Sequence, residues 1–580
     1  MAMLIPLACW RMWGALSIPF RALTCAWDCA TGRRRRRSMQ FLDAETRREL
    51  GFDDVWLRIR PVSPLGRAQQ RQAEAYLPER ASELEAALSR LEDAAARLRA
   101  DTHAAHNLLY FLSNLRDITT IIERCARGDV LDDAELYEVK RLLLIAAEIQ
   151  AELERLGWMG LLPAPVDLCA ACLEALSVGQ GRQTSFYIAD AYDGELAAVR
   201  RRRIELEEQL AGFRSMVNEK IQRATDRILS MEDEITVSRA ESGVVERLED
   251  IKELTKIQDT TDFVTFRLVE GEEHSSLRRE LGTLRAREEA CKARIRKRLS
   301  ETVAAHAPKM LRILEILGFL DFLLAKARFC VEIRGVRPKL CTSPRLAIGG
   351  GRHLLVEEEV ERGGGSYCPL SLELRPGVTL ITGPNMGGKT VSLKTIGLLT
   401  AMAQYGLLVP AVSMELRPRR FIRAHLASRV VQGLSKFAGE MNFVRHVLAH
   451  SHEDGLILLD ELAHGTNPAE GAAVAQAVVE RLCGEPTISV ITTHYPSLGR
   501  VEGVFRYKVR GLRRELLEGQ ESVLSTHGLA ALQRLMDYAL EPAEPGELGQ
   551  SDAVLVAEAL GLEPEIIERA KVLQRSDGHG

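Results

Sequence analysis

The sequence has few of the features that would place it in a membrane or an oxidising compartment. It contains no run of about 18 uninterrupted apolar residues, so we predict no membrane-spanning helix. Eleven cysteines are scattered without a disulfide framework, and Cys169 and Cys172 have no second pair at zinc-finger spacing. A net charge of -4 gives no overall attraction to nucleic acid or membranes, so any basic surface must be local. These absences favour a cytoplasmic protein with reduced thiols.

The length of 580 residues exceeds what one hydrophobic core normally serves, so we expect two to four domains. Residues 1–38 combine an interrupted apolar stretch with five consecutive arginines, Arg33 to Arg37. We interpret them as a disordered extension before Met39, with the arginines either solvated or in contact with phosphates. Residues 39–190 carry Ala, Leu, Glu and Arg at helical spacing, which predicts a helical core domain.

Residues 191–310 are predicted to form a pair of long helical arms. A heptad-like apolar pattern runs without proline from Asp193 to Ser230, and a second helical run, Ser276 to Ala305, could pair with it antiparallel. Residues 231–275 would then form a tip or return. The arginines that could contact DNA phosphates are Arg200, Arg201 and Arg202 on the first arm and Arg294, Arg296 and Arg298 on the second. Neighbouring glutamates could instead neutralise these charges, and the sequence leaves both readings open.

The chain is organised around a glycine-rich motif in its second half. The apolar run Val378 to Thr382 predicts a buried strand, and a helical pattern begins at Thr390. The residues between them fit G-x-x-x-x-G-K-[ST], whose backbone N–H groups cradle phosphate at a helix N-terminus. A turn that binds nothing is the alternative. The predicted phosphate-binding residues are Gly383, Pro384, Asn385, Met386, Gly387, Gly388, Lys389, Thr390 and Val391, with Thr390 also a ligand of Mg2+.

Two carboxylates follow a second apolar run at residues 456–459. Such a run indicates a strand of a parallel sheet that delivers Asp460 and Glu461 to its C-terminal end. We predict that Asp460 orients Mg2+ and that Glu461 polarises the water that attacks the γ-phosphate. A third apolar strand ends at His494, which could sense the γ-phosphate or be merely structural.

These motifs together resemble the MutS family of ATPases, most closely its second branch. The resemblance rests on residues 380–399, 402–411, 434–441, 456–473 and 492–499, which occur in the family's order and spacing. It implies an α/β P-loop ATPase domain of the ABC type at residues 311–580, working with ATP and Mg2+ as a homodimer. It also implies that Ser435 and Gly439 complete the partner protomer's site and that an aromatic residue, for which Tyr367 is our candidate, stacks on adenine. Residues 551–571 resemble the family's closing helices.

The resemblance leaves two functions open. No mismatch-probing Phe-x-Glu loop precedes the core, and the sequence ends at Gly580, before the small nuclease domain of second-branch members. We expect an ATP hydrolase that clamps mismatched, branched or distorted double-stranded DNA, in repair or recombination control. The alternative is an ATP-dependent protein-remodelling factor, such as a reactivase for a cobalamin-dependent aminomutase, whose client would be a protein.

Overall fold

The computed structural model describes residues 39–101, 103–181, 183, 185–269, 271–384, 388–426, 434–464, 466–512, 536–545, 554, 557–558 and 562–577. The predicted extension, Asn385, Met386, Gly387 and Gly465 therefore lie outside the described residues, as does the side chain of Ser435. No helix within the described ranges combines the length and the apolar character that a membrane span needs.

The first half of the chain is helical up to the arms. Its helices are α1 (Ala44–Glu49), α2 (Phe52–Trp56), α3 (Pro64–Gln72), α4 (Ala81–Ala100), α5 (His106–Ser113), α6 (Thr119–Ala126), α7 (Asp133–Leu156) and α8 (Ala170–Ala175). Short 3-10 turns lie at Pro78–Arg80, Met159–Leu161 and Asp190–Tyr192. Asp132 begins α7 with a capping box, and Gly157 ends it in the left-handed conformation.

Two long helices form the arms. Helix α9 (Gly194–Thr225) packs against α11 (Glu272–Glu332). Helix α11 is 61 residues long and also packs against α3, α4 and α6. At about 1.5 Å per residue, α11 is roughly 90 Å long. The sequence interpretation ended this helix at Ala305, but the structure continues it through Pro308. It therefore crosses the predicted domain boundary at residues 310/311 and joins the arms to the second half of the chain.

The tip between the arms is a small α/β unit that the sequence interpretation did not resolve. It contains β1 (Glu234–Ser238), α10 (Ser242–Glu249), β2 (Leu254–Asp259) and β3 (Phe263–Leu268). The strands form an antiparallel sheet in the order β1-β3-β2. Alternate side chains such as Val237, Val264 and Phe266 pack on Val217 and Ile221 at the end of α9, which gives the tip its own apolar core.

The second half of the chain contains two sheets. The smaller sheet has the order β4-β8-β5-β6 and comprises β4 (Lys339–Leu340), β5 (Leu346–Gly351), β6 (Leu370–Leu374) and β8 (Ser413–Leu416). The larger sheet has the order β13-β12-β7-β11-β10-β9 and comprises β7 (Gly377–Thr382), β9 (Ile422–His425), β10 (Leu456–Leu459), β11 (Ile488–Thr492), β12 (Phe505–Leu512) and β13 (Met536–Pro542). All of its neighbours pair in parallel except β12 and β13.

The second half contains five described helices. They are α12 (Leu354–Arg362), α13 (Lys389–Gln404), α14 (Leu434–Leu448), α15 (Pro468–Cys483) and α16 (Pro564–Asp577), with a 3-10 turn at Pro496–Arg500. Helices α13, α14 and α15 pack against strands of the larger sheet. Every side chain of β7 and β10 is buried, as expected of strands covered on both faces. Because parallel strands end at the same edge of a sheet, β7, β10 and β11 bring their following loops together.

Candidate functional site

The glycine-rich loop leaves the central strand β7 and enters α13. Gly388 has a φ of +78° and forms the N-cap of α13, so a residue without a Cβ suits this turn. Gly383 has a φ of +147°, and an added Cβ would lie 2.8 Å from Cβ of Val509 on β12. Glycine therefore suits both described ends of the loop, and Gly388 leads directly into the N-terminus of α13, where backbone N–H groups can bind an anion.

Lys389 folds back over this loop. Its Nζ donates to the backbone O of Gly383 at 2.8 Å and to that of Pro384 at 3.1 Å. Burial lowers the pKa of Lys389 to about 8, although Glu461 and Asp460 oppose the shift. A buried ammonium whose nearest partners are neutral carbonyls gains strongly from an anionic ligand, so the loop and the lysine together suit a phosphate.

Thr390, in the first turn of α13, contacts Asp460, which directly follows β10. The Thr390 hydroxyl donates to Oδ2 of Asp460 at 2.8 Å, and the Thr492 hydroxyl donates to Oδ1 at 2.6 Å. One hydroxyl and one carboxylate beside a phosphate loop fit Mg2+, which takes few protein ligands and completes its shell with phosphate oxygens and water. The sequence interpretation did not include Thr492, which fixes the Asp460 carboxylate and also accepts from N of Glu461 at 2.8 Å.

Glu461 and His494 form a second contact beside the lysine. His494 Nε2 lies 2.9 Å from Oε1 of Glu461 and 3.2 Å from Nζ of Lys389. One ring nitrogen either donates to the carboxylate or accepts from the ammonium, so His494 can alternate between these two partners. The hydrogen bond from His494 is the main reason that the pKa of Glu461 is lowered, which keeps the carboxylate ionised and able to orient a water by accepting a hydrogen bond from it.

The turn after β10 is held in an unusual conformation by its neighbours. Glu461 has a φ of +53° and Ala463 a φ of +62°, both in the left-handed region that favours glycine. N of Ala463 donates to Oε1 of the buried Glu440, on α14, at 2.7 Å. The Tyr495 hydroxyl donates to the backbone O of Ala463 at 3.0 Å. A Cβ on Gly471 would lie 2.5 Å from that hydroxyl. Sequence reasoning did not find Tyr495, because no pattern marks a side chain that binds a distant carbonyl.

The predicted residues outside this cluster lie in different surroundings. Ser435 is in the first turn of α14, and Gly439 lies on the same helix where an added Cβ would meet no atom within 4 Å. Tyr367 is half-buried and its hydroxyl accepts from N of His353 at 3.0 Å. Tyr538 on β13, which the sequence interpretation missed, has its Cδ1 only 3.1 Å from where a Cβ on Gly388 would be. An aromatic ring therefore lies directly against the phosphate loop, and it is not Tyr367.

Most of the arm arginines that were predicted to contact DNA are bound within the chain. Arg200 pairs with Asp190 at 2.7 Å and Glu288 at 3.0 Å; Arg202 pairs with Glu280 at 3.0 Å; Arg294 pairs with Glu195 at 2.6 Å; Arg296 pairs with Asp133 at 2.8 Å and Glu289 at 2.7 Å; Arg298 donates to O of Tyr192 at 3.0 Å. Arg201 is exposed, and the described residues offer it no hydrogen bond. Three of these contacts join the two arms, those of Arg200 with Glu288, Arg202 with Glu280 and Arg294 with Glu195, and the contacts as a group favour the neutralised-charge reading.

The tip carries the opposite charge from the one DNA requires. Residues 231–270 contain eleven acidic and five basic side chains, a net charge of -6. Several of the basic side chains are themselves paired, among them Arg239 with Asp259 and Arg267 with Glu234. A phosphate backbone would be repelled by this surface on approach.

Comparison with known proteins places the second half of the chain in a defined family. Residues 379–576 match the family described as MutS domain V. A protein of Thermomicrobium roseum named "Endonuclease MutS2" is 31% identical over 528 residues, which covers 85% of this chain and 62% of that protein.

Two further proteins of the same name show how the similarity is distributed. The protein of Caldanaerobacter subterraneus subsp. tengcongensis is 29% identical over 475 residues, covering 79% of this chain and 56% of that protein. The protein of Pelotomaculum thermopropionicum is 37% identical over 297 residues, covering 50% of this chain and 35% of that protein. The matches thus span between about a third and three-fifths of the length of these relatives.

Proposed function

We propose, on the premise that the chain is a MutS2-related member of the MutS family, that it is an ATP hydrolase that acts on DNA. The observation that carries the proposal is the cluster at the end of the larger sheet. Lys389 and Thr390 begin α13 in direct contact with His494 and Asp460, and Glu461 binds the same histidine. These are the groups that phosphoryl transfer to water needs: a phosphate cradle, metal ligands and a carboxylate near the attacking water.

Each residue of the cluster has a distinct task in this proposal. The backbone N–H groups of the glycine-rich loop and of the first turn of α13 bind the β- and γ-phosphates, and Lys389 neutralises their charge. Thr390 and Asp460 hold Mg2+, which when bound neutralises the phosphate oxygens as charge develops on them. Glu461 orients the attacking water and accepts its proton, while His494 reports the γ-phosphate by exchanging Glu461 for Lys389 as its partner. Tyr538 replaces Tyr367 as our candidate for contact with the base.

The family implies that the site is shared between two protomers in the manner of ABC-type ATPases. Gly439 lies on an open part of α14, in the same helix as Ser435, which suits residues that serve another chain. Helix α15 begins at Pro468 a few residues after Glu461, with Asn467 as its N-cap. We therefore propose a homodimer in which Ser435 and Gly439 of one protomer cover the γ-phosphate held by Lys389 of the other.

A mixing experiment tests the shared site. Lys389→Ala removes one half of the site and Ser435→Arg blocks the other, so each pure variant should be inactive. A mixed dimer places both lesions in one site and leaves the second intact, so it should regain up to half of the wild-type sites. Activity that fails to return after subunit exchange has been verified would contradict sharing between protomers.

DNA as the partner is supported by the family rather than by a basic surface. The arm arginines are mostly neutralised and the tip is acidic, so we propose that DNA contacts the exposed side of α9 near Arg201 and not the tip. The protein-remodelling alternative draws support from the same acidic tip, because a basic protein surface would complement it.

An anisotropy titration with homoduplex, mismatched and four-way DNA at two salt concentrations separates the two candidates. Binding through phosphates should weaken with salt for every DNA. When affinities are compared at the same salt concentration, the mismatched and four-way DNA should bind more tightly than the homoduplex. Arg201→Ala should reduce the slope of log K against log salt by roughly one. Arg223→Ala is the matched control, because Arg223 is an exposed arginine on the same helix that already pairs with Glu219. No binding at low salt with ATP turnover intact would favour the protein client.

A further inference from the structure

Strand β9 is the edge of the larger sheet, yet its outer side is not open. In a parallel ladder every second residue directs its N–H away from the neighbouring strand, here residues 422, 424 and 426. All three are satisfied by one distant stretch of chain. Ile422 N donates to O of Phe41 at 2.8 Å, Ala424 N to Oγ1 of Thr46 at 3.2 Å, and Leu426 N to Oε2 of Glu49 at 3.1 Å.

Residues 41–50, which we call the edge segment, are anchored by charge and by packing as well. Arg423, of which the side chain is only 4% exposed, pairs with Asp43 at 3.0 Å, and Asp43 is also the N-cap of α1. Leu50 packs against Gly397 of α13 so closely that a Cβ on that glycine would lie 2.5 Å from Cδ2 of Leu50. The edge segment therefore belongs structurally to the second half of the chain, although the sequence interpretation assigned it to the helical core domain.

The strand end held by Glu49 touches both parts of the proposed site. His425, next to Leu426, accepts at its O a hydrogen bond from N of Asp460 at 3.0 Å. Its ring lies 5.2 Å from the ring of Phe443 on α14. A shift at the end of β9 must therefore reach α14, the helix that carries Ser435 and Gly439.

Glu49 occupies this position at an energetic cost. Burial raises the pKa of its carboxyl to about 7, and the hydrogen bond from Leu426 only partly opposes the shift. Glu45 adds to the rise, whereas Arg48 and Lys394 act against it. Burial disfavours the charged form of this carboxyl, although an amide or a hydroxyl oxygen could accept the same hydrogen bond. A glutamate that occupies the position despite this cost is characteristic of a position determined by geometry.

We propose that the edge segment is a positioning element of the ATPase, in which Glu49 fixes the end of β9 and thereby places α14 to complete the partner protomer's site. This inference rests on the proposed function, because it assigns to Glu49 a role in the shared site. Glu49 touches neither nucleotide nor water in this role, so it is a positioning residue.

The first test compares substitutions on α1. Glu49→Ala should lower kcat about tenfold because Leu426 N loses its acceptor. The Kd for nucleotide should stay unchanged, because nucleotide is bound by Lys389 and its loop. Glu49→Gln keeps an acceptor oxygen and should restore most of the rate. Glu45→Ala is the matched control, since Glu45 is an exposed carboxylate on the same helix. If Glu49→Ala does not fold, Glu49→Asp, which withdraws the carboxylate by one methylene, should show the same loss of kcat.

The second test asks which half of the site Glu49 serves. In a dimer of Glu49→Ala with Lys389→Ala, the remaining Lys389 faces an α14 supported by an intact Glu49, so activity should return. If Glu49 acted on its own protomer's phosphate loop, that mixture would stay at about a twentieth of the wild-type rate instead of rising towards half of it. Such a result, with recovery in the mixture of Lys389→Ala with Ser435→Arg, would overturn the inference.

Other outcomes also decide the matter. Wild-type turnover by Glu49→Ala, or a loss of nucleotide affinity in place of kcat, would refute the positioning role. Failure of both mixtures would refute the shared site itself, and this inference with it.

Discussion

Nucleotide binding at alkaline pH should be accompanied by proton uptake at Lys389. Burial lowers the pKa of this lysine to about 8 in the nucleotide-free protein. At that pKa, about half of the ammonium groups are deprotonated at pH 8, about a tenth at pH 7 and about nine-tenths at pH 9. A bound triphosphate stabilises the charged form and returns the pKa towards or above its ordinary value. Binding should therefore take up about 0.1 proton at pH 7, 0.5 at pH 8 and 0.9 at pH 9.

Isothermal titration calorimetry measures this uptake directly. A non-hydrolysable ATP analogue with Mg2+ is titrated in buffers of different ionisation enthalpy, and the dependence of the observed heat on that enthalpy gives the protons taken up. Affinity should fall by up to about tenfold per pH unit above pH 8, because the charged form must be restored before it can bind. Lys389→Arg is the control, since its guanidinium stays charged and binding should take up no proton there. Absence of uptake at pH 9 in the wild type, or equal uptake in Lys389→Arg, would refute the reasoning.

Three further predictions concern His353, Glu288 and Tyr538. Burial lowers the pKa of His353 to about 4, so its contribution to stability is complete above about pH 6.5 and is lost as the pH falls towards 4. Urea unfolding should show that the wild type loses about 3 kcal/mol more of its free energy of unfolding than His353→Gln over this range. Parallel pH dependences of the two proteins would contradict this expectation. Glu288→Ala should lower the free energy of unfolding of the arms by about 2 kcal/mol, because Arg200 and Arg203 both pair with Glu288, whereas Arg201→Ala should not change thermal stability. Tyr538→Ala should weaken ATP binding about fivefold and leave inorganic tripolyphosphate binding unchanged; equal losses for both ligands would exclude contact with the base.

The parts of the fold that local sequence determines were predicted closely. The strand at residues 378–382 is observed at Gly377–Thr382, and the helix predicted from Thr390 begins at Lys389. Both depend on an apolar run and on glycines that act within a few residues. The family resemblance is likewise confirmed by the comparisons.

The parts that long-range contacts determine were not predicted. The edge segment joins a strand that lies about 380 residues away, as in the hydrogen bond from Leu426 N to Glu49, and no local pattern marks such a partner. The arm arginines suggested a basic surface because the sequence does not show which glutamates face them across two helices, for example Glu207 facing Arg285. The tip sheet was missed because its strands are five or six residues long and their alternation is weak between two long helical patterns.

Single-turnover hydrolysis of bound Mg2+-ATP in the wild type and in Glu461→Gln tests the catalytic role proposed for Glu461. Glu461 is ionised and lies beside His494. In the proposed mechanism its carboxylate acts on the attacking water and contributes little to nucleotide binding. We expect the variant to bind nucleotide with the wild-type Kd and to hydrolyse it at least about a hundredfold more slowly. Equal single-turnover rates in the two proteins would contradict this role.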